Sequence, residues 1–391
     1  MLPRVLATIC ICNLQQHLIT FSYPAIKSAS VTPNIKDKRG SASMAPKLFI
    51  TGSTGYIGGD FLYLVSQQHS DWEITCLVRN SDKGAKVAAA YPKVRLIYGD
   101  LDAVETIEEA AANADIVYHF ANCDHEPSAQ AIARGLARRN GDGPGYWIHT
   151  SGTLILGTET IALADYGNRL DKVFDDWDHV QELLSHPDEA AHRNVDKIVL
   201  ASYSDKVRTA IVCPPTIYGP GRGPDNTRSL QVYKATEAFL KRKKAFQIGK
   251  GDNVWHYIHV QDLSKLYLLL GEAAVNGGPP ATWNEQGYYL AEDGLFVWGE
   301  VIQRIAEIAH KKGLLPDSEV ESLSPDEADR LMPNARYAIG TNSRGISIRA
   351  KKLLGWKPSE RNIEEELPDI VEAEARSLGL IKGHAALVQE E

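Results

Sequence analysis

The chain has 391 residues, of which 43% are hydrophobic and 24% charged, and its net charge is −8 at pH 7. This length can hold one large α/β domain and a smaller lobe. The acidic balance argues against a nucleic-acid partner, because phosphate binding usually leaves a basic footprint. The apolar stretch at residues 5–12 is too short to span a bilayer, so we expect no membrane partner. Five scattered cysteines without a Cys-x-x-Cys pair favour a reducing compartment.

Residues 1–43 differ in composition from the rest of the chain, with five basic side chains, one acid and several serines. Three interpretations compete for such a segment: a mitochondrial transit sequence, a poor signal peptide and a disordered leader. Met44 stands where a compact domain would begin, so we leave residues 1–43 out of the fold. We expect a cytoplasmic protein, or a mitochondrial one if the leader is a transit segment.

From Lys47 onward, short apolar runs alternate with helical segments. The predicted strands cover residues 48–50, 74–78, 94–98, 116–120, 146–149 and 207–212. Apolar strands separated by helices are typical of βαβ units, whose parallel sheet is buried on both faces. We therefore predict a doubly wound, Rossmann-type α/β sheet over residues 44–220. Residues 221–391 are mainly a smaller, α-rich substrate lobe with a C-terminal tail.

A glycine-rich loop follows the first strand and reads Gly52-Ser-Thr-Gly-Tyr-Ile-Gly58. Glycines at a strand-to-helix junction allow the backbone to approach a pyrophosphate, which the helix N-terminus then binds. The loop therefore predicts a bound nicotinamide dinucleotide. The expected contacts are Gly52, Thr54, Gly55, Tyr56, Ile57 and Gly58.

The residues after the second and third strands indicate whether NADP(H) or NAD(H) binds. Arg79 occupies the position where an acid would bind the ribose hydroxyls and where an arginine accepts a 2′-phosphate. We predict a preference for NADP(H), with NAD(H) as the alternative and Lys83 as a helper. Asp100 and Leu101 close the third strand, where the Asp100 carboxylate would contact the adenine amino group, cap the following helix, or do both.

Several later segments carry a family resemblance over residues 46–360. Pro214-Pro-Thr-Ile-Tyr-Gly-Pro-Gly-Arg222, Trp255-His-Tyr-Ile-His-Val-Gln-Asp262 and Leu353-Leu-Gly-Trp-Lys-Pro358 follow the glycine loop in order. Together these motifs resemble the extended short-chain dehydrogenase/reductases, which include NAD-dependent epimerases and dehydratases. The resemblance implies that Pro214 lies near the nicotinamide. It also implies cofactor contacts at Phe120 and Ala121, after the fourth strand.

The family's proton-transfer residues are only partly present. The family uses a Tyr-x-x-x-Lys helix, whose lysine binds the nicotinamide ribose, and a Ser or Thr after the fifth strand. Lys197 matches the lysine, but Arg193 stands at the tyrosine position. Ser151 is the favoured hydroxyl donor. Three accounts stay open: His192 replaces the tyrosine, the proton comes from substrate or water, or the protein binds dinucleotide without turnover.

The substrate side is less defined. Tyr218, Arg222 and Arg344 are the expected substrate contacts, since arginine binds phosphate or carboxylate groups well. The histidines are too dispersed to predict a metal site. The leading hypothesis is an atypical NADP(H)-dependent oxidoreductase or epimerase-like enzyme, which acts on a small carbonyl or hydroxyl compound. The alternative is a dinucleotide-binding pseudoenzyme or redox-sensing regulator. A homodimer is left open.

Overall fold

A computed structural model describes residues 45–381 of the chain. The predicted leader, residues 1–43, lies outside the described residues. The strands are β1 Lys47–Thr51, β2 Glu73–Val78, β3 Arg95–Tyr98, β4 Ile116–His119, β5 Gly145–Thr150, β6 Phe174–Asp175, β7 Val207–Cys213, β8 Thr216–Tyr218, β9 Ala245–Ile248, β10 Val254–His259, β11 Tyr288–Leu290, β12 Gly294–Val297, β13 Val320–Leu323 and β14 Gly345–Ile346.

Helices connect and cover these strands. They are α1 Tyr56–Gln68, α2 Ser81–Ala90, α3 Val104–Ala112, α4 Glu126–Ala137, α5 Thr158–Leu163, α6 Val180–Leu184, α7 Arg193–Ala201, α8 Gln231–Arg242, α9 Val260–Val275, α10 Trp298–Lys311, α11 Pro325–Leu331, α12 Ala335–Ile339, α13 Arg349–Leu354 and α14 Ile363–Ser377. Within residues 45–381, no helix combines the length and apolar character that crossing a bilayer requires.

Among the described residues, seven strands form one parallel sheet in the order β11-β7-β5-β4-β1-β2-β3. Helices α1 and α9 cover one face, and helices α3, α4 and α7 cover the other. Every residue of β4 and β5 is buried, because alternate side chains enter the two cores. Tyr146 and Ile148 belong to one core and Trp147 to the other. The predicted doubly wound fold is confirmed.

The direction of strand order reverses between β1 and β4. From β1 the sheet grows outward through β2 and β3, while from β4 it grows through β5 and β7. Doubly wound sheets bind ligands at such a switch point, beyond the carboxyl ends of the strands. The loops after β1 and β4 therefore flank the expected binding site.

The C-terminal part of the chain builds smaller sheets and a third core. Strands β12, β10 and β8 form one sheet, while β13 pairs with β9 and β14 with β6. Phe239, Trp298 and Leu367 belong to the core that joins α8, α10 and α14. Strand β11 returns to the large sheet beside β7. The boundary at residue 220 stays a prediction, and the chain beyond it contributes the last strand of the Rossmann sheet.

Candidate active site

The glycine loop brings the backbone of β1 against the end of β4. Gly52 has φ of +77°, and a Cβ there would lie 2.6 Å from the Phe120 carbonyl carbon. A Cβ at Gly58 would lie 2.4 Å from the Gly52 carbonyl oxygen. Helix α1 starts after Gly55, with no side-chain cap among the described residues. Its first N–H groups are therefore available to an anion, which is the arrangement that a dinucleotide pyrophosphate requires.

A cavity of about 520 Å³ opens beside this loop at the carboxyl edge of the sheet. Its Rossmann-sheet side includes Tyr56, Ile57, Phe120, Ser151, His192 and Pro214. Its opposite side is mostly apolar or aromatic and includes Ile217, Leu230, Trp255, Tyr337 and Ala338. The predicted cofactor contacts at Ile57, Phe120 and Pro214 thus lie together, next to two of the predicted catalytic residues.

Arg79 is exposed immediately after β2. Asn80, its neighbour, caps α2 by accepting a hydrogen bond from the Lys83 backbone N–H at 3.0 Å. The Lys83 side chain forms an ion pair with Asp225, so the helper role expected of Lys83 is not supported. Within residues 45–381, Arg79 has no hydrogen-bonded or ion-paired partner of its own.

Asp100 and Leu101 follow β3, as predicted, but Asp100 does not cap the next helix. Its Oδ1 atom accepts a hydrogen bond from the Asp102 backbone N–H at 3.0 Å. Helix α3 begins four residues later, after Ala103, which has no capping side chain. The Asp100 carboxylate is exposed at the sheet edge, and Leu101 packs partly against the core.

His192 occupies the position immediately before α7 and lines the cavity. Its backbone adopts a left-handed conformation with φ of +65°. This conformation is rare for residues other than glycine, and where it occurs it is often found at functional sites. A Cβ at Gly152 would lie 3.0 Å from the His192 Nε2 atom, so the ring packs against the strand end that carries Ser151. On its other side, Nδ1 is 2.8 Å from Asp124 Oδ1 and 3.3 Å from Cys123 Sγ.

These neighbours keep the imidazole protonated. Burial alone would lower the pKa of His192, but hydrogen bonds with Asp124 and Cys123 outweigh it and raise the pKa to about 10. The hydrogen bond from His192 correspondingly lowers the pKa of the Asp124 carboxyl. A positively charged histidine therefore faces the cavity at neutral pH.

Ser151 lines the cavity and reaches into a buried polar group behind it. Its hydroxyl donates to Asp196 Oδ2 at 3.1 Å, and the Tyr288 hydroxyl donates to the same oxygen at 3.1 Å. Asp196 is fully buried. Burial raises the pKa of Asp196 to about 6, although these hydrogen bonds and the charge of His192 oppose the shift.

The sequence around this site is similar to that of known proteins. Residues 52–140 match a family model described as NAD(P)H-binding, and residues 176–284 match the NAD dependent epimerase/dehydratase family. The chain is 39% identical over 347 residues to the oxidase ucsJ of an Acremonium species, covering 86% of this chain and all of that protein. The chain belongs to the NAD-dependent epimerase/dehydratase family.

Two further proteins share a smaller fraction of identical residues with this chain. A dTDP-glucose 4,6-dehydratase of Mycobacterium tuberculosis is 29% identical over 237 residues, which is 55% of this chain and 66% of the dehydratase. The structure of a UDP-glucose 4-epimerase from Thermotoga maritima superimposes with a TM-score of 0.58 and 16% identity, covering 85% of this chain and 99% of the epimerase. The likeness confirms the fold, and the family models confirm the predicted NAD(P)-binding module.

In this family member, the structure corrects the placement of Lys197. The Lys197 side chain is 47% exposed and its Nζ lies 2.8 Å from Asp188 Oδ1, so it does not reach the cavity. Residues four apart share one face of a helix. The side chains that face Ser151 are those of His192, which was a predicted candidate, and Asp196; each lies one residue before the positions at which the motif was aligned, Arg193 and Lys197.

The three predicted substrate contacts are also engaged elsewhere. The Arg222 guanidinium donates to both oxygens of Asp60, at 2.9 and 2.7 Å. The buried Tyr218 hydroxyl donates to the Arg361 carbonyl at 2.7 Å. Arg344 donates to the carbonyl oxygen of Leu170 at 3.1 Å. None of the three lines the cavity, because each satisfies a structural partner within the described part of the chain.

Three functional candidates were not predicted: Cys123, Asp124 and Asp196. Cys123 and Asp124 follow β4 at the switch point, and Asp196 is four residues after His192, so spacing offered a signal for each. The donor atoms of Cys123, Asp124 and His192 lie within 4.8 Å of one another. The hydrogen bonds of His192 account for this grouping without an ion, and the expectation of no metal stays a prediction.

Proposed function

We propose that this protein is an NADP(H)-dependent oxidoreductase that interconverts a hydroxyl and a carbonyl group on a small molecule with apolar or aromatic character. The observation that carries the proposal is the position of His192. It faces the cavity next to Ser151, at the start of the helix where the family places its tyrosine. In this proposal His192 takes the place of the tyrosine beside the substrate oxygen.

The residues that would hold the dinucleotide fit it. The first backbone N–H groups of α1 would bind the pyrophosphate, and Gly52 and Gly58 leave the space that its approach requires. Arg79 would bind a 2′-phosphate, since no acid stands beside it to bind the ribose hydroxyls of NAD(H). When bound, the nicotinamide ring supplies or accepts the hydride.

His192 and Ser151 would handle the substrate oxygen. A charged imidazole donates a hydrogen bond and stabilises the negative charge that develops on that oxygen, and Asp124 fixes the orientation of the ring. Beside the His192 imidazole, Ser151 presents a hydroxyl group at the same edge of the cavity. In the reduction direction, the charged His192 would stabilise the new alkoxide.

The cavity favours an apolar or aromatic substrate over a nucleotide sugar. Arg228 is a charged side chain of the lining, and its guanidinium is neutralised by Glu237 and Glu374 at 2.9 and 2.6 Å. Apart from His192, which the proposal assigns to the substrate oxygen, little positive charge is left in the lining to bind a diphosphate. The relative from Acremonium bears the name oxidase, which supports a redox reaction rather than an epimerisation.

A turnover screen tests the proposal. Purified protein is mixed with NADPH and a panel of aromatic and alicyclic aldehydes and ketones, and separately with NADP+ and the matching alcohols, while NADPH absorbance is followed. We expect turnover with at least one aromatic or alicyclic pair. Tight NADPH binding without turnover across all classes would instead support the redox-sensing regulator, for which the absence of Lys197 from the cavity is the favouring observation.

Three expectations from the sequence are part of the proposal. The partner is a small molecule, and a homodimer is compatible with it. The location is cytoplasmic, or mitochondrial if residues 1–43 act as a transit segment.

A further inference from the structure

A cluster of buried polar side chains lies behind Ser151, on the side away from the cavity. Asp196 is at its centre, with the hydroxyls of Ser151 and Tyr288 both donating to its Oδ2 atom. Its Oδ1 atom has no hydrogen-bond partner within residues 45–381. His149 Nε2 lies 3.8 Å from that oxygen. A carboxyl group that is fully buried with one unpaired oxygen is costly to the fold, which calls for an explanation.

We propose that Asp196 is the proton acceptor for alcohol oxidation and that it acts through Ser151; the inference rests on the proposed redox function. The substrate O–H bond breaks and its proton goes to Ser151 Oγ, while the Ser151 proton goes to Asp196 Oδ2. The C–H electron pair leaves as hydride to the oxidised nicotinamide dinucleotide, and the C=O bond forms. Alcohol, oxidised dinucleotide and carboxylate thus become carbonyl compound, reduced dinucleotide and carboxylic acid.

His192 is not available for this role. Its Nδ1 atom is held by Asp124 at 2.8 Å, and its raised pKa keeps the ring protonated, so it has no lone pair to receive a proton at neutral pH. When the environment makes one group of a site charged and raises the pKa of another, the two groups take different roles in catalysis. His192 stabilises the alkoxide, and Asp196 takes the proton.

The groups around Asp196 suit a carboxyl that changes charge. Burial, followed by the charges of His119 and His192, lowers the pKa of His149 well below its usual value, so His149 stays neutral. Burial raises the pKa of Tyr288 and of Cys213, whose thiol donates to the Tyr288 hydroxyl at 3.2 Å. Positive charge faces Asp196 from His192 and Arg193.

The decisive variant is Asp196→Asn, compared with Asp188→Asn as a matched control. Asp188 is exposed, binds Lys197 and has no contact with Ser151. For wild type and the control, we expect kcat for oxidation of an alcohol found in the screen to rise with pH through about 6. Asp196→Asn should lose this inflection and at least roughly 100-fold in kcat, the usual effect of general-base removal. An unchanged inflection in Asp196→Asn would overturn the proposal.

A second measurement does not depend on turnover. Infrared difference spectra of the NADP+-bound protein between acidic and alkaline pH should contain two buried carboxyls that titrate near 6, those of Asp196 and Asp176. The Asp196 signal should disappear in Asp196→Asn, which leaves that of Asp176, and should persist in Asp188→Asn and Ser151→Ala. Persistence of both signals in Asp196→Asn would exclude Asp196, whereas a wild type that titrates as expected but turns over no substrate would count against the proposed function alone. If Asp196→Asn does not fold, Ser151→Ala decides: it should lose oxidation although the carboxyl still titrates.

Discussion

Two helices begin at the same edge of the sheet, and they serve the site in different ways. Helix α1 begins after Gly55, which has no side chain, and offers only backbone N–H groups. Helix α7 begins after His192, whose left-handed backbone directs an imidazole toward the cavity. Helix α1 binds through its backbone, and only glycine leaves enough space for that approach. Helix α7 acts through side chains, so a substitution there can change the chemistry of the site.

This difference separates the binding of the dinucleotide from proton transfer. The α1 end contains what a dinucleotide needs in any member of the family. At the α7 end, we propose that His192 and the buried Asp196 do the work of the family's tyrosine and lysine. Substitutions at the α1 end should therefore change the affinity for the dinucleotide, and those at the α7 end should change stability and the rate of proton transfer.

The largest expected effect on stability comes from the α7 side. The pKa of Asp196 is raised by burial to about 6, against an ordinary value of 3.8, so the folded state holds this proton more tightly than the unfolded state. The buried charge therefore penalises the fold above about pH 6, and the penalty disappears below about pH 4, where both states are protonated. The free energy of unfolding of Asp196→Asn, relative to that of wild type, should therefore rise by up to about 3 kcal/mol as the pH increases from about 4 to about 6.

Denaturant unfolding of both proteins across this pH range measures the change. Asp188→Asn is again the control, because its partner Lys197 is exposed. A difference between Asp196→Asn and wild type that is constant with pH would contradict the raised pKa of Asp196.

On the α1 side, Gly58→Ala should weaken dinucleotide binding. The new Cβ would lie 2.4 Å from the Gly52 carbonyl oxygen, so the loop must move. Overpacking of this kind costs about 2 kcal/mol, which is roughly thirty-fold in the Kd for NADPH. Calorimetric titration measures it. Gly143→Ala places its Cβ in open space, and the strain that its φ of +74° imposes falls on the loop before β5, so it should bind NADPH like wild type.

Arg79→Ala should change the choice of dinucleotide. Loss of a charge-assisted hydrogen bond to the 2′-phosphate costs about 1.5 kcal/mol, or roughly tenfold in the Kd for NADPH. The Kd for NADH should be unaffected. Arg95→Ala removes another exposed arginine, from β3, and should alter neither value. Equal NADH and NADPH affinities in the wild type would remove the case for NADP(H).

The smallest effect is expected for Lys197→Met. In the family the equivalent lysine binds the nicotinamide ribose, but here it forms an ion pair with Asp188 at the surface. We expect the Kd for NADPH to change less than about twofold, because exposed ion pairs contribute little. A tenfold weaker affinity would mean that Lys197 reaches the ribose when the dinucleotide binds.

The sequence predicted the features that depend on neighbouring residues. The glycine spacing located the α1 end, and the apolar runs located the strands of the large sheet except β11, whose three residues show no period. Helix α11 begins with a capping box formed by Ser324 and Glu327, which is likewise a signal between near neighbours in the sequence.

Features that depend on distant partners were not predictable in the same way. Arg222 was expected to bind substrate, but its partner Asp60 is 162 residues away in the chain. The motif was placed one residue too late on α7, because Lys197 fits the motif while the packing of α7 against α4 and β7 turns Asp196 toward Ser151. Composition and spacing do not tell which partner a charged side chain meets once the chain is folded.

The central claim is that His192 has replaced the tyrosine and that Lys197 takes no part. The most direct test is the single-turnover rate of NADPH oxidation with a carbonyl compound from the screen, measured for His192→Gln, Lys197→Met and the matched control His179→Gln. His179 is also a histidine paired with an aspartate, but it is exposed and distant from the cavity lining. We predict at least a roughly 100-fold slower rate for His192→Gln and wild-type rates for the other two variants. A wild-type rate in His192→Gln, or a comparable loss in Lys197→Met, would contradict the account.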